Sequence, residues 1–321
     1  MARAWLAAWH DALYGADGLY VRDEPHAHFS TATSPGLVEV LASAVVALMR
    51  RDGLGHFVDI AAGGGELAAA VRELAPGLQV TCVEVRPRPA ELDERIEWIR
   101  SPGGALLPDS LHRLRGALVL AHEWLDNVPC VIAERPANPP ESRDREIREV
   151  REGLTEVWVD ADGTETAGDA VGAADLAWAQ RWWWGGDRVE IGRSRDEAWD
   201  DLLSRIDEGL AVAVDYGHLR EGRPAGGSLT AYRRGEVVVP VPDGSCDLTA
   251  HVAVDSLVHD RLLTQRELVR ELGLVPPSPH RALARTDPAG YLRALSHRSA
   301  VAAMSDPDGL GGFWWVLARR P

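Results

Sequence analysis

Apolar residues along this chain fall into short continuous runs separated by stretches of helical period. Phe57, Val58 and Ile60 make one run, and the turn Gly63-Gly64-Gly65 follows it. Residues 66–75 are good helix formers closed by Pro76-Gly77, and a second run, residues 78–83, ends on Glu84. The pattern predicts strand, glycine turn, helix and second strand in that order. Further strands are expected over residues 96–99, 116–122, 155–159, 210–217 and 313–318. The unbroken run at 116–122 suits a parallel sheet covered on both faces. Trp5, Leu6, Trp9 and Leu13 have helical spacing, and Ser34-Pro35 starts a helix over residues 36–51. Helices are also expected around 176–184, 196–209, 262–272 and 288–301, with a β-like excursion from 227 to 252. Three consecutive tryptophans, Trp182 to Trp184, cannot all face one core.

Composition narrows the function. The formal net charge is −15, which disfavours nucleic acid and anionic membranes as partners and suits a basic protein substrate. Every basic side chain is arginine, so no lysine Schiff base and no phosphate-loop lysine can exist. Cys82, Cys130 and Cys246 are far apart in the chain, which argues against a zinc ribbon and fits a reducing, cytoplasmic setting. No apolar run reaches the roughly 18 residues of a membrane span, and the first residues are too short an apolar run for a signal peptide. Asp23, Glu24, His26 and His28 share one loop without metal-ligand spacing, so no metal site is expected.

Candidate chemistry gathers at the strand ends. A glycine turn lets a ligand approach the backbone, and a carboxylate about 20 residues on, here Glu84, accepts hydrogen bonds from ribose hydroxyls. The dinucleotide spacing G-x-G-x-x-G is absent, which weakens a nicotinamide-dependent reading. Asp59 would repel a phosphate and attract a cation; S-adenosylmethionine carries a sulfonium and an ammonium and no phosphate. The strand 116–122 ends in His122-Glu123-Trp124-Leu125-Asp126-Asn127-Val128-Pro129. Ligands of open α/β sheets sit beyond the carboxyl ends of the strands, so Glu123 and Asp126 are catalytic candidates. The competing reading makes Asp126 a helix cap and Glu123 a solvated loop acid.

These motifs, in this order, resemble the MidA-like family of S-adenosylmethionine-dependent methyltransferases along nearly the whole chain. The segments that carry the resemblance are residues 28–35, the turn from Asp59 to Gly65, the His122 to Pro129 motif, Asp215-Tyr216-Gly217, residues 227–234 and residues 247–252. The sequence departs from the family at Ala61, which replaces the first glycine of the turn, at His122, which replaces an asparagine, and at Asn127. The resemblance implies a Rossmann-like class I methyltransferase sheet with helices on both faces and an inserted α+β substrate-side region. It implies residues 1–36 as a segment covering the donor site, 37–133 and 205–321 as the core, and 134–204 as an insertion. The implied donor is S-adenosylmethionine, held by Asp59, Ala61, Gly63, Gly65, Glu84, His122, Thr31 and Ser34. The implied acceptor is an arginine of a protein partner, with Asp215, Tyr216 and His251 on its side. A small-molecule methyltransferase and a weakly catalytic or non-catalytic assembly chaperone on the same fold are the alternatives, and a second copy of the chain is a candidate partner.

Overall fold

The computed structural model describes residues 1–22, 36–135 and 153–321. Its largest sheet has seven strands. From edge to edge they are Arg261–Thr264, Trp314–Arg320, Ile206–Asp215, Leu114–His122, His56–Ile60, Gln79–Glu84 and Glu97–Arg100. The last five run parallel to one another; the first two add antiparallel at one edge. This is the covered, mostly parallel sheet that the apolar runs predict and the Rossmann-like α/β architecture that the family resemblance implies.

Alternation along these strands covers both faces. Phe57, Val80, Cys82, Leu118 and Leu120 face one apolar cluster, shared with the helices Val38–Asp52 and Glu66–Leu74. Val58, Ile60, Val83, Val119 and Ala121 face the other, shared with the helix Arg193–Ser204. Strands buried on both sides need continuous apolar runs, which is why they were legible.

The chain order of the parallel strands reverses between His56–Ile60 and Leu114–His122. Neighbouring connections there leave in opposite directions, which opens a crevice at the strands' carboxyl ends.

Two smaller antiparallel sheets flank this crevice. One contains Arg3–Ala4, Thr155–Val159, Val131–Glu134 and Arg188–Ile191 in that order, with Glu165–Ala170 pairing onto Thr155–Val159. The other has Thr230–Arg233 between Glu236–Val238 and Asp247–Thr249. The helix Trp5–Tyr14 buries Trp5, Trp9 and Leu13 against both sheets. Trp183 is buried behind the first, while Trp184 is exposed. Within the segment 134–204 the final helix, Arg193–Ser204, packs on the large sheet.

Two expected helices are shorter than their patterns. The stretch 196–209 is a helix only to Ser204; Ile206 already begins a strand. Gly209, the expected end of that helix, sits in the strand beside a register shift, where a Cβ would come within 2.1 Å of the Ala117 carbonyl oxygen. Glycine is required there by a bulge and a close backbone approach. The stretch 262–272 divides into the edge strand Arg261–Thr264 and the helix Gln265–Glu271. Thr264 and Glu267 form a reciprocal capping box at the junction. Among the described residues no helix is long and apolar enough to cross a membrane.

Candidate active site

The strand His56–Ile60 delivers the glycine turn to the crevice. Ala61, Gly63 and Gly65 all adopt left-handed backbone, with φ of 57°, 60° and 82°. The turn is tied to the neighbouring strand by the Ala61 amide, which donates to the Val83 carbonyl at 2.9 Å. A Cβ at Gly63 would meet only the tip of Glu66, so glycine is demanded there by conformation. Gly65 starts the following helix and faces away, against Leu92 and Trp98.

Glu84 ends the next strand. One carboxylate oxygen accepts from the Gly63 amide at 2.9 Å and the other from the Arg86 amide at 3.1 Å. Both bonds fix the carboxylate at the floor of an open cleft of about 1040 Å³, counted to its mouth. Asp59, Ala61, Gly63, Glu84, His122 and Glu123 all line this cleft, so six of the expected residues come together. Thr31 and Ser34 lie outside the described residues, as does the loop holding Asp23, Glu24, His26 and His28.

The remaining expected residues stand a layer back. One Asp126 oxygen accepts from the Tyr216 hydroxyl and, at 2.8 Å, from the Thr249 hydroxyl. Asp215 is buried and accepts from the Leu125 amide at 3.1 Å. His251 is exposed, with its ring 5.2 Å from that of Tyr216. A buried arginine, Arg195, holds this layer together. It donates to the carbonyls of Asp126 (2.8 Å), Val128 (3.0 Å), Ala250 (3.1 Å) and His251 (2.9 Å).

Sequence reasoning missed Tyr14 and Tyr20, which form a wall of the cleft, and Asn127 and Arg86 beside them. Arg86 follows Glu84 by two residues and signals itself only by that proximity. Tyr14 ends an amphipathic helix and gives no local signal. The Tyr20 hydroxyl donates to buried Asp247 at 2.7 Å, and the Asn127 side-chain amide donates to the same oxygen at 3.3 Å.

The cleft is acidic, and several of its polar groups are buried. Burial pushes Asp59 well above the usual carboxylate range, with Glu66 and Glu84 adding to the rise. Burial also raises Glu84, against the pull of Arg86 and the backbone amides, and raises Asp215 strongly, reinforced by Asp126 and Glu123. Burial lowers His122 to about 4, so the imidazole is neutral at pH 7. Its Nδ1 lies 3.4 Å from Glu123 Oε1, a contact of a neutral ring with a carboxyl group. Its Nε2 has no hydrogen-bond partner among the described residues. Glu123 itself has a left-handed backbone, φ 49°, with its amide donating to the Val214 carbonyl at 2.8 Å. Non-glycine residues held this way store strain, and they cluster at functional sites. Such a lining suits a ligand that brings positive charge.

An α/β sheet with a glycine turn, an acidic strand end and a carboxyl group at the switch point defines a nucleoside-binding enzyme of the methyltransferase kind. A family described as "Putative S-adenosyl-L-methionine-dependent methyltransferase" matches residues 40–266, and the chain belongs to that family. Two crystal structures from Burkholderia thailandensis share the fold. One, bound to S-adenosyl-homocysteine, is 19% identical, with 99% of this chain and 88% of that one covered and a TM-score of 0.73. The other, a native structure, is 21% identical over 99% and 87% of the two chains, with a TM-score of 0.72. No curated protein sequence matches the chain.

Proposed function

We propose that this methyltransferase is MidA-like and transfers a methyl group to a nitrogen of an arginine side chain in a protein partner. The observation that carries the reading is Glu123, a strained carboxyl-bearing residue beside neutral His122 in the same cleft as Glu84.

The lining fits S-adenosylmethionine. Glu84 would take the ribose hydroxyls, since two backbone amides already hold its carboxylate in place. Ala61 and Gly63 would face the amino-acid end, and Asp59 its ammonium. The acidic lining complements the donor's net positive charge, and Arg86 is the one arginine among the described lining residues. When bound, S-adenosylmethionine supplies an electrophilic methyl group. The chain's own residues then orient the acceptor. Glu123 would hold a guanidinium through its carboxylate and localise the positive charge on the nitrogens that do not react. Neutral His122 adds a hydrogen-bonding nitrogen without a competing charge. Positioning of this kind supplies much of the acceleration of a displacement between two bound groups.

Calorimetric titration with S-adenosylhomocysteine, with NAD as the control ligand, tests the donor site. Binding of the first and not the second is expected. Glu84→Ala should weaken the first about 30-fold or more by removing charge-assisted hydrogen bonds. Glu123→Gln should leave that affinity unchanged and depress transfer to an arginine peptide. Normal transfer by Glu123→Gln would remove Glu123 from the acceptor site.

A further inference from the structure

A chain of aromatic contacts leaves the cleft and runs toward the flanking sheets. His122 lies 6.4 Å from Phe313, with the rings nearly parallel. Phe313 meets Tyr216 edge-on at 5.5 Å, and Tyr216 meets His251 edge-on at 5.2 Å. His251 lies 6.1 Å from His218, which meets Trp183 edge-on at 4.8 Å. The rings come from separate parts of the chain, so the series is a product of the tertiary fold.

The middle of this track is reachable from solvent. Phe313 and Tyr216 are half-buried and His251 is exposed. Phe313 packs at the border of one apolar cluster and Trp183 belongs to another, whereas Tyr216 is part of none. Core packing therefore does not account for Tyr216 in this position.

Carboxyl groups accompany the inner part of the track. Glu123 adjoins His122, and Asp126 accepts from the Tyr216 hydroxyl. The second Asp126 oxygen has no hydrogen-bond partner among the described residues. A phenol that donates to a carboxylate has an electron-richer ring. Two of the histidines add no repelling charge at neutral pH, since burial takes His122 down to about 4 and His218 down to about 3. One guanidinium, Arg195, lies behind the middle of the track on the Asp126 and His251 carbonyls, and a second lies at the outer end, where Arg223 contacts His218 and pairs with Asp255. A planar cation entering from solvent therefore meets aromatic rings flanked by carboxyl groups at Tyr216 and Phe313, and the Arg223 guanidinium beyond His218. Flat cations stack on aromatic faces, and a guanidinium does so better than an ammonium.

We propose that Phe313, Tyr216 and His251 form the docking face for the methyl acceptor, and that this face selects a guanidinium and presents it to His122 and Glu123. The assignment rests on the arginine reading above and names the residues that would confer it.

The test uses the full chain saturated with S-adenosylhomocysteine. Acetyl-Gly-Arg-Gly-amide and its citrulline counterpart, which lacks the charge, are titrated separately while aromatic carbon–proton NMR shifts are followed. The arginine peptide should move the signals of Phe313, Tyr216 and His251 and bind about tenfold tighter than the citrulline peptide. His251→Ala, at an exposed position, and Phe313→Leu should each weaken the arginine peptide several-fold while leaving S-adenosylhomocysteine affinity unchanged. Equal binding of the two peptides, binding that survives both substitutions, or no binding of the arginine peptide would each overturn the docking face. A parallel transfer assay separates the two claims. Methylation of arginine peptides that is indifferent to both substitutions overturns the face and leaves the arginine reading standing. Docking at the rings without any methylation overturns arginine as the acceptor and, with it, the assignment of the face to the methyl acceptor.

Discussion

Asp247→Asn should reverse sign in its effect on stability between mildly acidic and mildly basic pH. Asp247 is 1% exposed, and burial pushes its carboxyl group up to about 8, with Asp126 adding to the rise and the Tyr20 hydroxyl opposing it. In the unfolded chain the same group ionises near about 4. The folded protein therefore keeps a proton that the unfolded chain has released, and the group's contribution to stability is complete below the unfolded value. It is lost progressively as pH rises from about 4 to about 8, because there the native state binds more protons. A difference of about four pH units corresponds to about 5 kcal/mol as a ceiling, with a maximal slope of about 1.4 kcal/mol per pH unit. Asparagine stays neutral and keeps an acceptor for the Tyr20 hydroxyl and the Asn127 amide. At pH 5 the variant should match or fall below the wild type, with a cost of about 1 kcal/mol for the altered hydrogen bond. At pH 8 it should be the more stable by several kcal/mol. Urea unfolding followed by fluorescence of the 12 tryptophans at pH 5, 6, 7 and 8 measures the difference. Other buried acids, such as Asp196 with its carboxyl near 6, act on both proteins and cancel in the comparison. A stability difference constant to within about 0.5 kcal/mol across that range would refute the argument.

Ala61→Gly should stabilise the protein, because it relieves a left-handed alanine that costs about 1–2 kcal/mol. The gain in urea unfolding should be about 1 kcal/mol after the added freedom of the unfolded chain is subtracted, and S-adenosylhomocysteine affinity should not fall. Gly209→Ala should be severely destabilising, by about 3 kcal/mol, since its Cβ would meet the Ala117 carbonyl and the strand has no slack there; a small shift in the melting curve would argue that the bulge can move.

The large sheet was legible because its strands are buried on both faces and so have unbroken apolar runs. Glu84, His122 and Glu123 were legible for a related reason: they are the first polar residues after such runs, which places them at the carboxyl ends where ligands bind. Asp126 shows the limit of that logic. It is three residues beyond Glu123 in the same turn, but its carboxylate turns to Tyr216 and Thr249, and nothing local encodes that choice. The strand Glu165–Ala170 has almost no apolar side chain to bury and exists through its pairing with Thr155–Val159. Tyr14 and Tyr20 reach the cleft only because Trp5, Trp9 and Leu13 anchor their segment between the two small sheets. Contacts made across long stretches of chain leave no mark in a local pattern.

Arg195 has a consequence for how this protein can change. Its guanidinium grips the Asp126–Val128 turn and the Ala250–His251 segment through carbonyl oxygens, and a carbonyl is the same whatever side chain its residue bears. Mutation can therefore alter side chains on both segments while the backbone that displays them stays clamped. The architecture separates holding the two segments from choosing the side chains they carry. Side chains on the two segments are thus free to diversify on a fixed frame, and Arg195, itself buried, is the residue whose loss would release both segments at once.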